Sequence, residues 1–160
     1  MKLIIAAIGV MRAGPLRSLV DDYQARSRKL GPSLGFSGPD IRDGEVNRSL
    51  QGAARVSAEA TILARFSVDS EIRIALDEHG KSMKSEAFAA QLASWRDNGR
   101  RSAAFIIGGA DGHGPNLLEE TDLRLSLGPA TWPHMFVRAM LCEQMYRAMT
   151  ILSGHPYHRE

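Results

Sequence analysis

Residues 2–9 read KLIIAAIG, a run in which every position from Leu3 to Ile8 is apolar. A strand with one face in water alternates polar and apolar residues, because successive side chains point to opposite faces. A run apolar on both faces must be covered on both, which is the situation of an inner strand in a parallel sheet with helices above and below. With Lys2 ahead of it, the stretch also resembles a weak leader peptide. It is too short to span a bilayer, and Arg12 and Pro15 follow where a small-residue cleavage site belongs. We therefore read it as a first buried strand and expect a cytoplasmic protein.

Three later runs repeat the signal. EIRIALD (71–77) alternates through Ile72, Ile74 and Leu76, SAAFIIGG (102–109) is apolar up to a glycine pair, and LRLSLG (123–128) alternates through Leu123, Leu125 and Leu127. Residues 34–42 offer at best a fifth, poor strand, within a Gly-, Pro- and Asp-rich stretch from 31 to 47 that reads as a loop or irregular edge. Helical spacing fills the gaps over Pro15 to Leu30, Asn47 to Phe66, Ser85 to Asn98 (Phe88, Leu92 and Trp95 on one side) and Pro133 to Leu152. Together these predict one α/β domain over residues 1–160, with a mostly parallel sheet and helices on both faces. A chain of this length buries a core without disulfides or metal. Cys142 is the only cysteine, so an internal disulfide is impossible.

The formal net charge of +2, from 20 basic and 18 acidic residues, excludes strong nucleic-acid binding through charge alone. Residues 1–30 hold six Lys or Arg against two Asp, which suits phosphate contact and ordinary solvated helix surface alike.

Ligands of open α/β sheets bind beyond the carboxyl ends of the strands. Three such ends combine small and polar residues: LDEHG (76–80), GGADGHGP (108–115) and LGPATWPH (127–134). Each is either a plain turn or a place where bare backbone meets an adenine and ribose. Gly80-Lys81-Ser82 is the tail of a phosphate loop, but Ala75 stands where its first glycine is required. Gly109, Gly112 and Gly114 lack the dinucleotide spacing and follow a later strand than the first. No HExxH or GxSxG occurs. The five histidines include one close pair, 155 and 158, with no acidic or cysteine ligand at a matching spacing, so no metal site is expected. Cys142 lies among apolar helix positions, the setting of an inert thiol.

Read in order, LDEHGK (76–81), FIIGGADGHGP (105–115), LSLGPATWPH (125–134), VRAMLCEQMYRA (137–148) and GHPYHR (154–159) closely resemble the SPOUT-class ribosomal RNA large subunit methyltransferase H family. The similarity covers nearly the whole chain. It implies an α/β fold with a C-terminal trefoil knot, a homodimer, S-adenosylmethionine as methyl donor, and N3 of a pseudouridine in 23S rRNA of the assembled ribosome as target. True knots are rare, so that expectation comes from the resemblance alone. The resemblance puts cofactor contacts on Leu76, on Ile107, Gly108 and Gly109, and on Ser126, Leu127, Gly128, Pro129, Ala130, Thr131 and Trp132. This chain departs from the family pattern at Trp132, where leucine is usual, and at Gly128-Pro129. The larger indole either stacks on a ring or narrows the pocket.

The resemblance also implies that the tail belongs to the site; the roles within it are our assignment. His158 is the candidate base for the N3 proton, Arg159 stabilises charge on the flanking carbonyl oxygens, and Tyr157 stacks on or hydrogen-bonds to the base. Gly154 and Pro156 are expected to turn the tail back over the cofactor. His134 suits capping and packing as well as catalysis, and His155 is positional. Glu143 and Arg147 form a helical pair, while Arg138 and Arg147 also suit contact with phosphate or a partner subunit. The last helix is expected to serve both core and dimer seam. A methyltransferase aimed at tRNA and a silent RNA- or ribosome-binding protein remain the alternatives.

Overall fold

The structure, a computed structural model, describes residues 1–158; Arg159 and Glu160 lie outside the described residues. In chain order the elements are β1 (Lys2–Ile8), α1 (Pro15–Leu30), β2 (Ser37–Gly44), α2 (Gly52–Ser67), β3 (Ile72–Ser82), α3 (Ser85–Asp97), β4 (Ser102–Ile107), α4 (Pro115–Glu119), β5 (Leu123–Ser126) and α5 (His134–Ser153), with a 3-10 turn over Gly31–Leu34. The five strands form one sheet in the order β2-β1-β4-β3-β5, every pairing parallel.

Strand β1 is covered as its composition requires. Leu3, Ile5 and Ala7 pack into a core with Ile74, Phe88, Leu92, Phe105 and the α5 residues Leu141, Met145 and Met149. Ala6 and Ile8 face the other way, onto Leu63 of α2 and Leu117 of α4. Helices α1, α3 and α5 therefore cover one face, and α2 with the five-residue α4 covers the other.

The poor strand proves to be a real one, shifted to Ser37–Gly44. It lies at the sheet edge beside β1, where Pro39 is tolerated because one side of the strand carries no ladder. Helix α2 begins at Gly52 rather than Asn47, since the Asn47 side chain accepts a hydrogen bond from the Ser49 N–H (3.0 Å) and holds a turn there. Strand β3 runs past residue 77 to Ser82. Leu76 and Lys81 both pair with Leu125 of β5, so residues 77–80 arch out between them.

The basic excess of the first thirty residues is largely matched by neighbouring carboxylates. Lys2 and Arg28 pair with Asp40 (2.9 and 3.2 Å), Arg17 with Asp21 (2.8 Å) and Arg26 with Asp22 (2.9 Å). The segment is thus mostly solvated, paired surface.

Arg138 is the main departure from the sequence reading. Placed by its helix position among candidates for phosphate or partner contact, it is wholly buried. Its guanidinium reaches Asp43 Oδ2 (2.8 Å) and the backbone carbonyls of Gly9 (2.7 Å) and Ile8 (3.3 Å). Asp43 also accepts the Met11 N–H (3.2 Å). One charge pair thereby ties the start of α5 to the carboxyl ends of β1 and β2.

Candidate active site

The carboxyl ends of β3, β4 and β5 come together around a cleft of about 800 Å³. Leu76, Ile107, Gly108, Gly109, Leu127, Gly128, Ala130, Thr131 and Trp132 all line it. Ser126 and Pro129 are not among its lining residues. Ser126 instead organises the loop: its hydroxyl accepts the Gly128 N–H (3.2 Å) and lies within hydrogen-bond reach of the carbonyls of Glu78 (3.2 Å) and Gly128 (3.0 Å). The Thr131 hydroxyl donates to the Glu78 carboxylate (3.1 Å), fastening the β5–α5 loop to the β3 arch. The inner wall is aliphatic, with Ile107 and Leu125 almost fully buried.

The turn after β4 is built from bare backbone because there is no room for more. A Cβ on Gly109 would lie 2.5 Å from Glu59 Oε2, and one on Gly108 would lie 3.0 Å from the Gly112 carbonyl oxygen. Glu59 is buried beneath that turn, and its other oxygen is held by Arg55 Nε at 2.9 Å. The carboxylate cannot easily retreat to make space.

Sequence reasoning flagged these strand ends but gave no role to His113. Its Nε2 stands 2.8 Å from the Leu76 carbonyl oxygen, bridging the ends of β3 and β4. Burial depresses the basicity of this imidazole below the ordinary histidine range. The ring is therefore neutral at neutral pH, donating from Nε2 and leaving Nδ1 as a buried acceptor. No signal in the sequence distinguished this histidine from a turn residue. His134 opens α5 without capping it and lines the cleft beside Gly9; burial, then the Arg138 charge, lowers its basicity too.

Cys142 is inert, as its apolar setting suggested: it is fully buried, and burial pushes its thiol up to about 12.

The tail turns but does not return over the cleft. Gly154 takes the left-handed conformation (φ 65°), and the N–H groups of Gly154 and His155 donate to the carbonyls of Ile151 (3.2 Å) and Thr150 (2.9 Å). Beyond it the chain folds back along α5 toward its middle. The Tyr157 hydroxyl meets Tyr23 Oη at 3.0 Å and donates to Glu143 Oε1 at 3.1 Å. Its ring stands edge-on to Tyr146 (4.8 Å) under the Arg147 guanidinium (5.0 Å). Glu143 and Arg147 do pair, through Nε at 2.8 Å, and between them they hold the tail. Burial, then the hydrogen bond to Tyr23, raises the Tyr157 phenol well above its usual range, so it acts as a neutral hydrogen-bonding group.

His158 Nε2 stands 2.9 Å from Glu86, at ion-pair distance though off line for a hydrogen bond. Glu86 is kept ionised chiefly by its own N–H and secondarily by His158. Neither Tyr157 nor His158 lines the cleft, and their partners Tyr23, Glu143 and Glu86 do not line it either. The expectation that the tail turns back over its own cleft is corrected accordingly: these contacts hold Tyr157 and His158 outside its lining.

A second groove, about 630 Å³, runs along α5 from Leu127 and Gly128 past Phe136 and Met140 to Glu143, walled by Leu19 and Tyr23 of α1. Leu19 and Phe136 are large apolar residues more than two-fifths exposed.

Comparison with known proteins agrees with this architecture. The family model described as "Predicted SPOUT methyltransferase" matches residues 1–158. A protein named ribosomal RNA large subunit methyltransferase H from Rhodopseudomonas palustris (strain HaA2) is 48% identical over 159 residues, covering 99% of each chain. Its namesake from Nitrobacter winogradskyi is 45% identical over the same length and coverage. Among solved structures, a probable methylase family protein from Haemophilus influenzae Rd KW20 superposes with a TM-score of 0.55 at 12% identity, covering 99% of this chain and 70% of that one, a likeness of fold.

Proposed function

The chain belongs to the SPOUT methyltransferase family, and from that premise we propose that it is an S-adenosylmethionine-dependent methyltransferase of large-subunit ribosomal RNA, acting on N3 of a pseudouridine in the assembled ribosome. The observation that carries this reading is the cleft at three strand ends, floored by bare glycine backbone, in a chain alike to the named relatives along its whole length.

The cleft suits the cofactor. Its volume lies in the range of small-molecule sites, its aliphatic inner wall accepts a purine, and Gly108 and Gly109 line it with a turn held in place by the lack of room for any side chain beneath it. When bound, S-adenosylmethionine supplies a methyl group on a positively charged sulfur. Leu76, Ile107, Gly108, Gly109 and the 127–131 loop would hold it. Gly109→Val is expected to weaken S-adenosylhomocysteine binding at least tenfold in calorimetry of the folded variant, because the branched side chain meets the buried Glu59 carboxylate and pushes the cleft-lining turn out of place. Undiminished affinity would move the site elsewhere.

His158 would take the N3 proton as the N3–methyl bond forms and the sulfur–methyl bond breaks with its electron pair left on sulfur, and Glu86, 2.9 Å from it, orients the imidazole. Tyr157 donates or stacks at the base, and Arg159 faces the carbonyl oxygens. Since neither Tyr157 nor His158 lines the cleft of its own chain, a homodimer supplies the tail from the second copy. The groove along α5, with Leu19 and Phe136 exposed, is the surface for that contact. The near-neutral charge is too weak for tight hold on free RNA, so the folded ribosome presents the target. The enzyme works in the cytoplasm. The knot fits this reading, with the 123–131 segment fastened against the 76–82 arch.

The test is methyl transfer to ribosomes from cells lacking the gene, with mass mapping of the modified nucleoside and the same reaction on an isolated hairpin. Methylation of a 23S pseudouridine in particles, and at least tenfold poorer efficiency on the hairpin, is the expected result. Label appearing in tRNA, or nowhere, overturns the reading.

A further inference from the structure

Among the described residues, the exposed large apolar side chains are Val10, Leu19, Val68, Trp132 and Phe136. Leu19 and Phe136 belong to the groove along α5. Trp132 is the member of this set that lines the cleft, and 43% of it is open to solvent. It takes part in none of the ring pairs or ring–cation contacts among the described residues. An aromatic ring so exposed, with no ring or cation partner among the described residues, keeps a face free for a ligand.

Its backbone is nonetheless held. Pro133 follows directly and confines Trp132 to extended geometry, keeping it out of the first turn of α5. Thr131, one residue earlier, is fastened to Glu78 (3.1 Å). The indole is thus carried on a fixed loop between the arch and the helix. Deeper in the cleft, Leu76, Ile107 and Leu125 already offer aliphatic surface to an adenine ring. What remains is an indole that lines the same cleft and keeps 43% of its surface open to solvent, from which a macromolecular substrate arrives.

We propose that Trp132 is the stacking platform for a nucleobase of the RNA substrate, holding it at the mouth of the cleft before methyl transfer. Sequence-selective chemistry on folded RNA needs the base drawn out of its stack, and an aromatic side chain replaces the lost stacking. Any base has a face to offer, so the platform contributes binding while the tail supplies the chemistry. This inference rests on the RNA methyltransferase reading.

The test uses full-length Trp132→Ala and Trp132→Phe proteins, each checked for fold by circular dichroism and for mass by light scattering. With ribosomes lacking the modification, W132A is expected to lose about tenfold to a hundredfold in kcat/KM for ribosomes, the scale of one base–aromatic stack. W132F should recover to within about threefold of the parent. Calorimetry with S-adenosylhomocysteine should give both variants the parent's affinity within about threefold. A tenfold loss of S-adenosylhomocysteine affinity in W132A would assign the indole to adenine and overturn the proposal. A W132A protein that dissociates would assign it to the second copy, with the same result. An unchanged kcat/KM for ribosomes removes any role in RNA binding. If the parent protein itself methylates no ribosome, the functional reading fails before the platform is tested.

Discussion

Ending the chain after Gly154 is expected to yield a folded protein that binds S-adenosylhomocysteine like the parent and has lost about 10²–10⁴ of its methyl-transfer rate on ribosomes, the usual loss when a positioned base is removed. The truncation takes away the Tyr157 bonds to Tyr23 and Glu143 and the His158–Glu86 contact. It takes away no strand, no core residue and no residue that lines the cleft. The geometry adds a sharper form of the test. If one copy's tail serves the other's cleft, mixing the truncated chain with a tail-intact Gly109→Val chain rebuilds one working site per mixed dimer. At a cofactor concentration that leaves the Gly109→Val chain unloaded, activity should then rise well above that of either protein alone. If each tail served its own cleft, every site in the mixture would lack one part, and the mixture would stay silent. A truncated protein methylating within twofold of the parent would remove the tail from the site altogether.

Arg138→Ala should cost about 3–5 kcal/mol in urea unfolding, the range for removing one partner of a buried charge pair. That is a large share of the 5–15 kcal/mol typical of a domain. The guanidinium lies in a fully buried position with Asp43 and two carbonyls as acceptors. Burial opposes its charge and Asp43 supports it, in that order of weight. Deleting it strands the Gly9 carbonyl and frees the loop after β1 from the start of α5. Asp43→Asn should cost less, because Asp43 is a quarter exposed and water can serve it. A loss below about 1 kcal/mol for R138A would show that the pair is not what fastens α5 to the sheet.

The strands and long helices were legible because burial writes itself into periodicity. KLIIAAIG read better as an inner strand than as a leader and is one, and α1 and α3 fall within a residue of their expected bounds. The edge strand was faint because an edge buries little and tolerates Pro39 and Gly38, the residues that argue against a strand. Arg138 was illegible for a related reason. Its partner Asp43 is ninety-five residues away in the chain, and an arginine in a helix looks the same whether it faces water or a carboxylate. His113 likewise gained meaning only from a carbonyl thirty-seven residues away.

The candidate site divides along the same line. Local composition marked the three strand ends, since bare, small and polar residues after apolar strands are a property of short segments. The resemblance attached the tail to the site, and the helical period fixed the length of α5. Where the tail stands relative to the cleft was decided by the tertiary structure alone. After Gly154 the chain folds back along α5, and Tyr23 of α1 and Glu143, half-way up α5, hold Tyr157 outside the lining of the cleft. The sequence by itself determined a parallel α/β sheet with its ligand ends and a chemically equipped tail. Only the contacts of Tyr157 with Tyr23 and of His158 with Glu86 decided that the tail stands outside the cleft of its own chain, because direction and distance in a fold come from contacts between residues remote in the chain.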